Sequence, residues 1–241
     1  TLFLVARRHD ALESMRSLLA CPNVIILSGD LLHDRFIDEI VRKVEGHGGI
    51  NLLINNAGTG NFSEFAQQPV ASIHQTIGLN LSALVVLTQR LLPQLPRSSN
   101  GNTVSQIVNI GSSFAYIGYP GFAVYCASKY AVRGFTQALS RELFGSGIAV
   151  RLFSPRATKT ELNTSVVQQM NHDLGVQQDD PASVAQQFLK FLASRAPEIR
   201  VGFPEKLYAV INQIAPGVVG RAIVRQLPRI RQAFAASRSS S

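Results

Sequence analysis

Short apolar runs alternate with longer amphipathic stretches along most of the chain. The apolar runs predict β-strands over Leu2–Ala6, Val24–Ser28, Leu52–Asn55, Gln106–Ile110 and Ile148–Phe153. The amphipathic stretches predict helices over Ala11–Leu19, Asp34–Glu45, Val70–Leu92, Val124–Phe144 and Ala182–Ser194. Strands and helices that alternate in this way are typical of βαβ units. The pattern therefore predicts an α/β fold with a doubly wound parallel sheet.

The end of the chain has a pattern of its own. Apolar residues recur at helical spacing on both sides of Pro216-Gly217: Leu207, Val210, Ile211, Ile214, Val218, Val219, Ala222 and Ile223. Because Pro216-Gly217 interrupts the pattern, it predicts two short amphipathic helices. We therefore divide the chain into a Rossmann-type domain over residues 1–203 and an amphipathic extension over residues 204–241.

The charge of the protein is concentrated in this extension. The chain has 23 Lys and Arg against 15 Asp and Glu, and six of its eight excess positive charges lie between Arg195 and Ser241. The two C-terminal helices either pack on the body of the protein or a second subunit, or attach peripherally to an anionic membrane. A nucleic-acid partner is not expected, because the segment has neither interleaved aromatic residues nor a recognised motif.

Hydropathy and cysteine content favour a cytoplasmic protein. The mean hydropathy is +0.12, and no uninterrupted apolar run approaches the ~20 residues that cross a bilayer. Cys21 and Cys126 are too few for a disulfide framework, which favours a reducing compartment. The five histidines lack the spacing of metal ligands, so we predict no metal site.

Three polar motifs lie at the ends of predicted strands or the start of a predicted helix. Asn55–Gly58 follows the third strand, where small residues let the backbone approach a flat ligand. Tyr125 and Lys129 are four residues apart, on one face of a helix. Ser112 lies just beyond the fourth strand, at the carboxyl edge where ligands bind in open α/β sheets.

In this order, with Ser112 thirteen residues before Tyr125, these motifs resemble those of the short-chain dehydrogenase/reductase family. The motifs are clear from Thr1 to about Thr160, and the resemblance continues more loosely to the end. It implies an enzyme that transfers hydride between NADP(H) and a small carbonyl or alcohol substrate. Since members of the family commonly oligomerise, it also implies a homo-oligomer.

The resemblance assigns catalytic roles to four residues. Tyr125 would be the general acid/base, and Lys129 would bind the nicotinamide ribose and stabilise tyrosinate. Ser112 would polarise the substrate carbonyl, with Ser113 as its rival, and Asn80 would anchor a relay water at a helical distortion. A neighbouring ammonium favours the phenolate, so we expect Lys129 to lower the pKa of Tyr125. The plainer alternatives are an exposed Tyr–Lys pair, a turn serine and a packing asparagine.

The cofactor preference is indicated by Arg7 and Arg8 at the end of the first predicted strand, where NAD-dependent members usually have an acid. Guanidinium groups suit the additional 2′-phosphate of NADP(H), although the pair could also be an ordinary solvated one. The resemblance assigns further cofactor contacts to Asp30, Leu31, Asn56, Ala57, Gly58, Tyr125, Lys129, Pro155, Thr158 and Thr160.

The sequence departs from the family pattern in three places. Asn51 stands where an Asp is common, and Arg156 stands where the family has Gly. The Gly-rich phosphate-binding turn is missing, because it belongs to a first strand and helix that would precede Thr1. The alternative function is therefore a catalytically silent fragment or binding module without the pyrophosphate site.

The substrate is predicted only in class. Four apolar residues between Ser112 and Tyr125 would give the pocket an apolar wall: Phe114, Ile117, Tyr119 and Phe122. They favour a hydrophobic substrate. The family's specificity segment corresponds here to residues 161–175.

Overall fold

A computed structural model describes residues 1–98, 102, 104–160 and 163–239. Residues 161 and 162 of the predicted specificity segment, and the last two residues of the predicted extension, lie outside the described residues.

Strands and helices alternate in the described chain largely as predicted. The strands are β1 (Leu2–Ala6), β2 (Val24–Ser28), β3 (Leu52–Asn55), β4 (Ser105–Ile110), β5 (Ile148–Ser154) and β6 (Glu198–Arg200). The helices are α1 (His9–Leu18), α2 (Asp34–Glu45), α3 (Val70–Ile77), α4 (Leu84–Leu91), α5 (Ala123–Glu142), α6 (Ser165–Asp173), α7 (Pro181–Ala193), α8 (Glu205–Ile214) and α9 (Pro216–Ser239). The sequence pattern missed β6, because three residues are too few to show a period.

Two predicted helices differ from those in the structure. The helix predicted over Val70–Leu92 is divided into α3 and α4 by a π-helical turn over Gly78–Ala83. The second C-terminal helix was predicted to be short, but α9 has 24 residues and continues through Pro228. Pro216 begins α9 at a position where no backbone N–H is needed, and the buried side of the helix compensates for the bond lost at Pro228.

The sheet is covered by helices on both faces. Ile107 and Val108 are successive residues of β4, point to opposite faces and are both fully buried. Ile107 packs with residues of α2, α4 and α5, such as Ile40. Val108 packs with residues of α7, such as Phe191. This arrangement confirms the doubly wound α/β fold.

The strands form two hydrogen-bonded sheets around a shared core. β1 pairs with β2, and β3, β4, β5 and β6 pair in that order, all in parallel. Leu27 of β2 and Leu53 of β3 belong to the same core cluster. Leu52 and Ile54 of β3 are nevertheless 39% and 42% exposed, although parallel strands are normally covered on both faces. One face of β3 is therefore open in the described structure.

The helical stretch Val70–Gln94 is long and apolar enough to cross a membrane by length and composition. It packs against the sheet, however, because Thr88 accepts a hydrogen bond from Asn55 of β3, and Asn80 is fully buried. These contacts are those of a helix that packs on the sheet of an α/β domain.

The amide of Asn51, where the family commonly has an acid, donates a hydrogen bond to the carbonyl oxygen of Val104 at 3.3 Å. A carboxylate could not make this bond, because it only accepts. The departure noted in the sequence therefore changes a local contact at the start of β3 and leaves the strand in place.

Candidate active site

The π-helical turn places Asn80 at the centre of the site. The side-chain oxygen of Asn80 accepts a hydrogen bond from the backbone N–H of Thr59 at 2.7 Å. Its amide donates to the carbonyl of Thr59 at 2.8 Å and to the hydroxyl of Ser128 at 3.0 Å. Asn80 therefore joins the loop after β3 to helix α5. The predicted helical distortion is present, and the relay role of Asn80 stays a prediction.

The loop after β3 lies close to these side chains. A Cβ atom added at Gly58 would lie 3.2 Å from the side-chain oxygen of Asn80 and 3.7 Å from Nζ of Lys129. A Cβ atom added at Gly60 would lie 3.2 Å from Cδ2 of Tyr125. A side chain at either position would crowd these neighbours, so glycine favours the close approach of the backbone that the Asn-Asn-Ala-Gly motif predicted for Gly58.

A buried series of hydrogen-bonded polar side chains supports the site. Asn55 donates to the hydroxyl of Thr88 at 2.9 Å and to the side-chain oxygen of Asn109 at 2.8 Å. Asn109 in turn donates to the hydroxyl of Thr136 at 2.9 Å. These hydrogen bonds connect α4, β3, β4 and α5. They therefore hold the ends of the two strands in register with each other and with the two helices.

Lys129 reaches the site from α5 and is almost fully buried. It is 5% exposed, and its ammonium donates to the carbonyl of Ile110 at 2.9 Å. The same nitrogen lies 5.7 Å from the centroid of the Tyr125 ring. Burial lowers the pKa of Lys129 to about 8, because the charged form loses hydration.

The pKa of Tyr125 differs from the expectation. Burial raises the pKa of Tyr125 to about 12, and a hydrogen bond with the Ser112 side chain opposes the rise. Lys129 does not lower this pKa: its ammonium donates to the carbonyl of Ile110 and lies 5.7 Å from the centroid of the phenol ring. Of the two candidate serines, Ser112 is the one that contacts the phenol, whereas the backbone N–H of Ser113 donates to Pro155.

These residues open onto a cavity of about 1230 Å³. The predicted site residues that line it are Asn56, Gly58, Ser112, Tyr125, Lys129, Pro155, Thr158 and Thr160. The cavity is lined on the far side by residues of α8 and α9: Glu205, Tyr208, Val219, Ala222, Ile223, Gln226 and Ser237. The structure therefore brings the predicted nicotinamide-side residues together with a C-terminal segment that the sequence had not linked to the site.

Comparison with known proteins identifies the scaffold. The family model for short chain dehydrogenases matches residues 1–171. The chain belongs to the short-chain dehydrogenase/reductase family. It is thus an oxidoreductase of a family that binds nicotinamide cofactors and small-molecule substrates.

Individual relatives agree with this assignment. An uncharacterized oxidoreductase of Staphylococcus saprophyticus is 31% identical over 168 residues, which are 68% of this chain and 67% of that protein. The NADPH-dependent 3-dehydrocapnine reductase of Ornithobacterium rhinotracheale is 34% identical over 54% of this chain and 45% of its own length. A short-chain dehydrogenase/reductase structure from Brucella melitensis superposes with a TM-score of 0.74 at 27% identity, over 85% of this chain and 86% of that one.

Of the predicted adenosine-side residues, Asn56 and Gly58 line the large cavity, and the others lie outside it. Arg7 and Arg8 are exposed at the end of β1. The carboxylate of Asp30 accepts a hydrogen bond from the backbone N–H of Leu32 at 3.0 Å. The neighbouring Leu31 lines a second, small cavity together with Ala57. The residues predicted for the cofactor are thus divided between two places.

The donor groups nevertheless suit NADP(H). Gly58 leaves the backbone after β3 accessible beside Lys129, as a flat ribose or nicotinamide requires. The two exposed guanidinium groups at the end of β1 suit a phosphate. The residues present therefore fit the cofactor of this family.

The apolar wall predicted from the sequence is present, and α9 covers it. Phe114, Ile117, Tyr119 and Phe122 all line the cavity. Phe62, also in the lining, stacks on Phe234 of α9 with centroids 5.0 Å apart, and the hydroxyl of Tyr119 donates to Gln226 of α9 at 2.8 Å. The inner side of α9 therefore packs on the body of the protein.

Arg156, which replaces the family glycine, forms a polar cluster at the rim of the cavity. Its guanidinium donates to Gln177 at 2.7 Å and to Asp179 at 2.5 Å, and lies 3.9 Å from the carboxylate of Glu205. Arg156 therefore ties the segment after β5 to the segment before α7 and to the start of α8. The sequence showed the substitution, but it could not show these partners.

Proposed function

We propose that the protein is an NADPH-dependent carbonyl reductase for apolar substrates, with Tyr125 as the proton donor. The observation that carries this proposal is the convergence of Ser112, Tyr125 and Lys129 on one large cavity with an aromatic wall. Asn80, which joins the loop beneath them to α5, is the fourth member of the proposed site.

The electrostatics favour proton donation. A phenol with a pKa of about 12 is fully protonated near neutral pH, so Tyr125 can give its proton to an oxygen that gains negative charge. Ser112 would donate a second hydrogen bond to the same oxygen. NADPH, when bound, supplies the hydride. Below its pKa of about 8, Lys129 is charged and would stabilise the phenolate that remains.

The preference for NADP(H) rests on Arg7 and Arg8. Two guanidinium groups at the end of β1 favour a 2′-phosphate, and they stand where NAD-dependent members of the family usually have an acid that binds the ribose hydroxyls. The printed name of the Ornithobacterium rhinotracheale relative, NADPH-dependent 3-dehydrocapnine reductase, agrees with this preference. Asp30, Leu31, Asn56, Ala57 and Gly58 would complete the adenosine side.

The lining of the cavity supports an apolar substrate. The nicotinamide side would be held by Pro155, Thr158 and Thr160. Phe114, Tyr119 and Phe122 line the same cavity as residues of α9, and these apolar side chains would hold the apolar part of a substrate whose carbonyl group lies at Tyr125. The cavity exceeds the ~300–1,000 Å³ of common ligand sites, which leaves room for both the nicotinamide end of a cofactor and a sizeable substrate.

The test is a panel of aldehydes and ketones with NADPH or NADH, followed by loss of the reduced nicotinamide absorbance. We expect turnover that increases with the apolar length of the substrate and is faster with NADPH. Tyr125→Phe serves as the blank. A protein that binds NADPH and reduces no member of the panel, or one that prefers short polar carbonyls, would contradict the proposal and favour the binding-module alternative.

Two further properties stay predictions. We expect a homo-oligomer, which sedimentation velocity would detect as a species larger than one 26.2 kDa chain. We also expect a cytoplasmic location, which fractionation of the source cells would check.

A further inference from the structure

The outward surface of α8 and α9, named here the C-terminal face, is both apolar and basic. Its apolar members are exposed aliphatic side chains: Leu207, Val210, Ile214, Val218 and Val224. Its basic members are exposed as well: Lys206, Arg221, Arg225 and Arg231.

The apolar stripe of α8 points away from the protein. Leu207, Val210 and Ile214 share one side of the helix by their spacing, and Ile214 is 80% exposed. The opposite side of α8 makes the contacts with the body: Ala209 is buried, and the amide of Asn212 donates to the carbonyl of Tyr116 at 2.8 Å. A stripe that would normally face a core is therefore exposed.

The basic side of α9 also points outward. Val219 and Ile230 of α9 are buried, whereas Arg221 lies two residues after Val219 and is thus turned about 200° around the helix axis. Arg225 follows one turn later on the same exposed side. No acidic residue follows Glu205 in the sequence, although six basic residues do.

We propose that the C-terminal face binds the surface of an anionic lipid bilayer. The aliphatic side chains of α8 would enter the headgroup region, and the guanidinium groups of α9 would contact lipid phosphates. The positive charge of the C-terminal face favours a bilayer over a second copy of the protein. In a twofold contact of the face with itself, the cations of the two copies would lie close together and repel each other. A bilayer supplies both the apolar region and the negative charge.

The position of the face gives this contact a function. The inner sides of the same two helices line the cavity through residues such as Tyr208, Val219 and Ile223. A bilayer on the outer side would therefore lie one helix diameter, about 10 Å, from the cavity. The contact goes beyond the proposed reductase activity and does not depend on it.

The test is co-sedimentation of the full chain with vesicles of phosphatidylcholine alone or mixed with phosphatidylserine. We expect binding to the anionic vesicles that high salt weakens. Each basic residue near such a surface increases binding about fivefold, so Arg221→Gln, Arg225→Gln and Arg231→Gln together should reduce it by about a hundredfold. The matched control neutralises three exposed cations of α2, with Arg35→Gln, Arg42→Gln and Lys43→Gln, and should change binding by less than about threefold.

A second variant tests the apolar component. Leu207→Ser with Ile214→Ser should reduce binding about tenfold without changing its salt dependence, because it removes buried area and no charge. No binding to anionic vesicles at low salt would overturn the proposal. Equal losses of vesicle binding in the α9 variant and the α2 control variant would overturn it as well. A stable dimer that Ile214→Ser dissociates would also overturn it. Vesicles are mixed with protein alone, and Tyr125→Phe should bind as well as the unmodified chain, so a failed reductase assay leaves this result unaffected.

Discussion

The two sheets carry opposite ends of the proposed cofactor site and hold their side chains in different ways. In the sheet of β3–β6, Asn55 and Asn109 are buried and hydrogen bonded to each other and to neighbouring helices. At the end of β1, Arg7 and Arg8 are exposed, and the backbone there is tied by an exposed bond from the Ser28 hydroxyl to the carbonyl of Arg7 at 3.1 Å.

The difference reflects what each end has to do. Proton transfer requires donors fixed in a low-dielectric environment, where electrostatic interactions are strong. Recognition of a phosphate requires only cationic groups within reach, and guanidinium groups do this from an exposed position. We therefore expect substitutions in the β3–β6 half to affect rate and stability, and substitutions at the end of β1 to affect cofactor choice.

The largest effect is expected at Tyr125. Tyr125→Phe removes the proton donor with little change of shape, so turnover should fall by about 10²- to 10⁴-fold, as measured by NADPH oxidation. NADPH affinity, from fluorescence titration, should stay within about twofold. Tyr130→Phe, five residues further along α5 and 40% exposed, is the control and should keep near-normal turnover. Similar rates in both variants would remove Tyr125 from the chemistry.

The free energy of unfolding should respond differently to substitutions in the sheet of β3–β6 and in the sheet of β1 and β2. Asn109→Ala breaks the buried series of polar side chains between Asn55 and Thr136 and removes one hydrogen bond from each of these two residues. The free energy of unfolding should fall by about 2–4 kcal/mol in urea titrations. Asn23→Ala, an exposed change just before β2, should cost less than about 0.5 kcal/mol. If both variants unfold alike, the buried series of polar side chains does not support the site.

Lys129 should make stability depend on pH. Because burial lowers the pKa of Lys129 from 10.5 to about 8, the unfolded chain binds the additional proton between these values. The free energy of unfolding should therefore rise with pH from about 8 to 10.5, by about 3 kcal/mol in total. Tyr125, whose pKa is raised to about 12, has the opposite effect and acts only above about pH 10.

The measurement is a series of urea titrations between pH 8 and pH 10, compared with Lys129→Met. In the variant, the free energy of unfolding should rise much less with pH, because methionine keeps the aliphatic contacts and removes the titrating group. An identical slope in both proteins would show that Lys129 is not desolvated in the folded state.

The smallest effect is expected at the end of β1. Arg7→Ala with Arg8→Ala should weaken NADPH binding by about tenfold or more, since charge-assisted hydrogen bonds to the 2′-phosphate are worth about 1.5–3 kcal/mol. NADH binding should change by less than about twofold, and unfolding by less than about 0.5 kcal/mol. Titration with both cofactors checks this, and equal losses would mean that the pair does not distinguish them.

Local patterns in the amino-acid sequence predict most of the secondary structure and the positions of the candidate site residues. Alternation of apolar and polar residues is a local property, so it located β1 to β5 and α2 within about one residue. Motif order, from the Asn-Asn-Ala-Gly loop to Tyr125 and Lys129, identified the family that residues 1–171 then matched. Neither inference required knowledge of long-range contacts.

The tertiary structure decided the rest, because it depends on which distant residues meet. The pKa of Tyr125 is raised because the folded chain buries the phenol, and the hydrogen bond with Ser112 offsets only part of the rise. The helix α9 covers the aromatic wall because Phe234 meets Phe62, more than 170 residues away. The partners of Arg156 come from segments 21 to 49 residues further along the chain. Burial and long-range pairing leave no periodic signal in a sequence, so they were decided only by the fold.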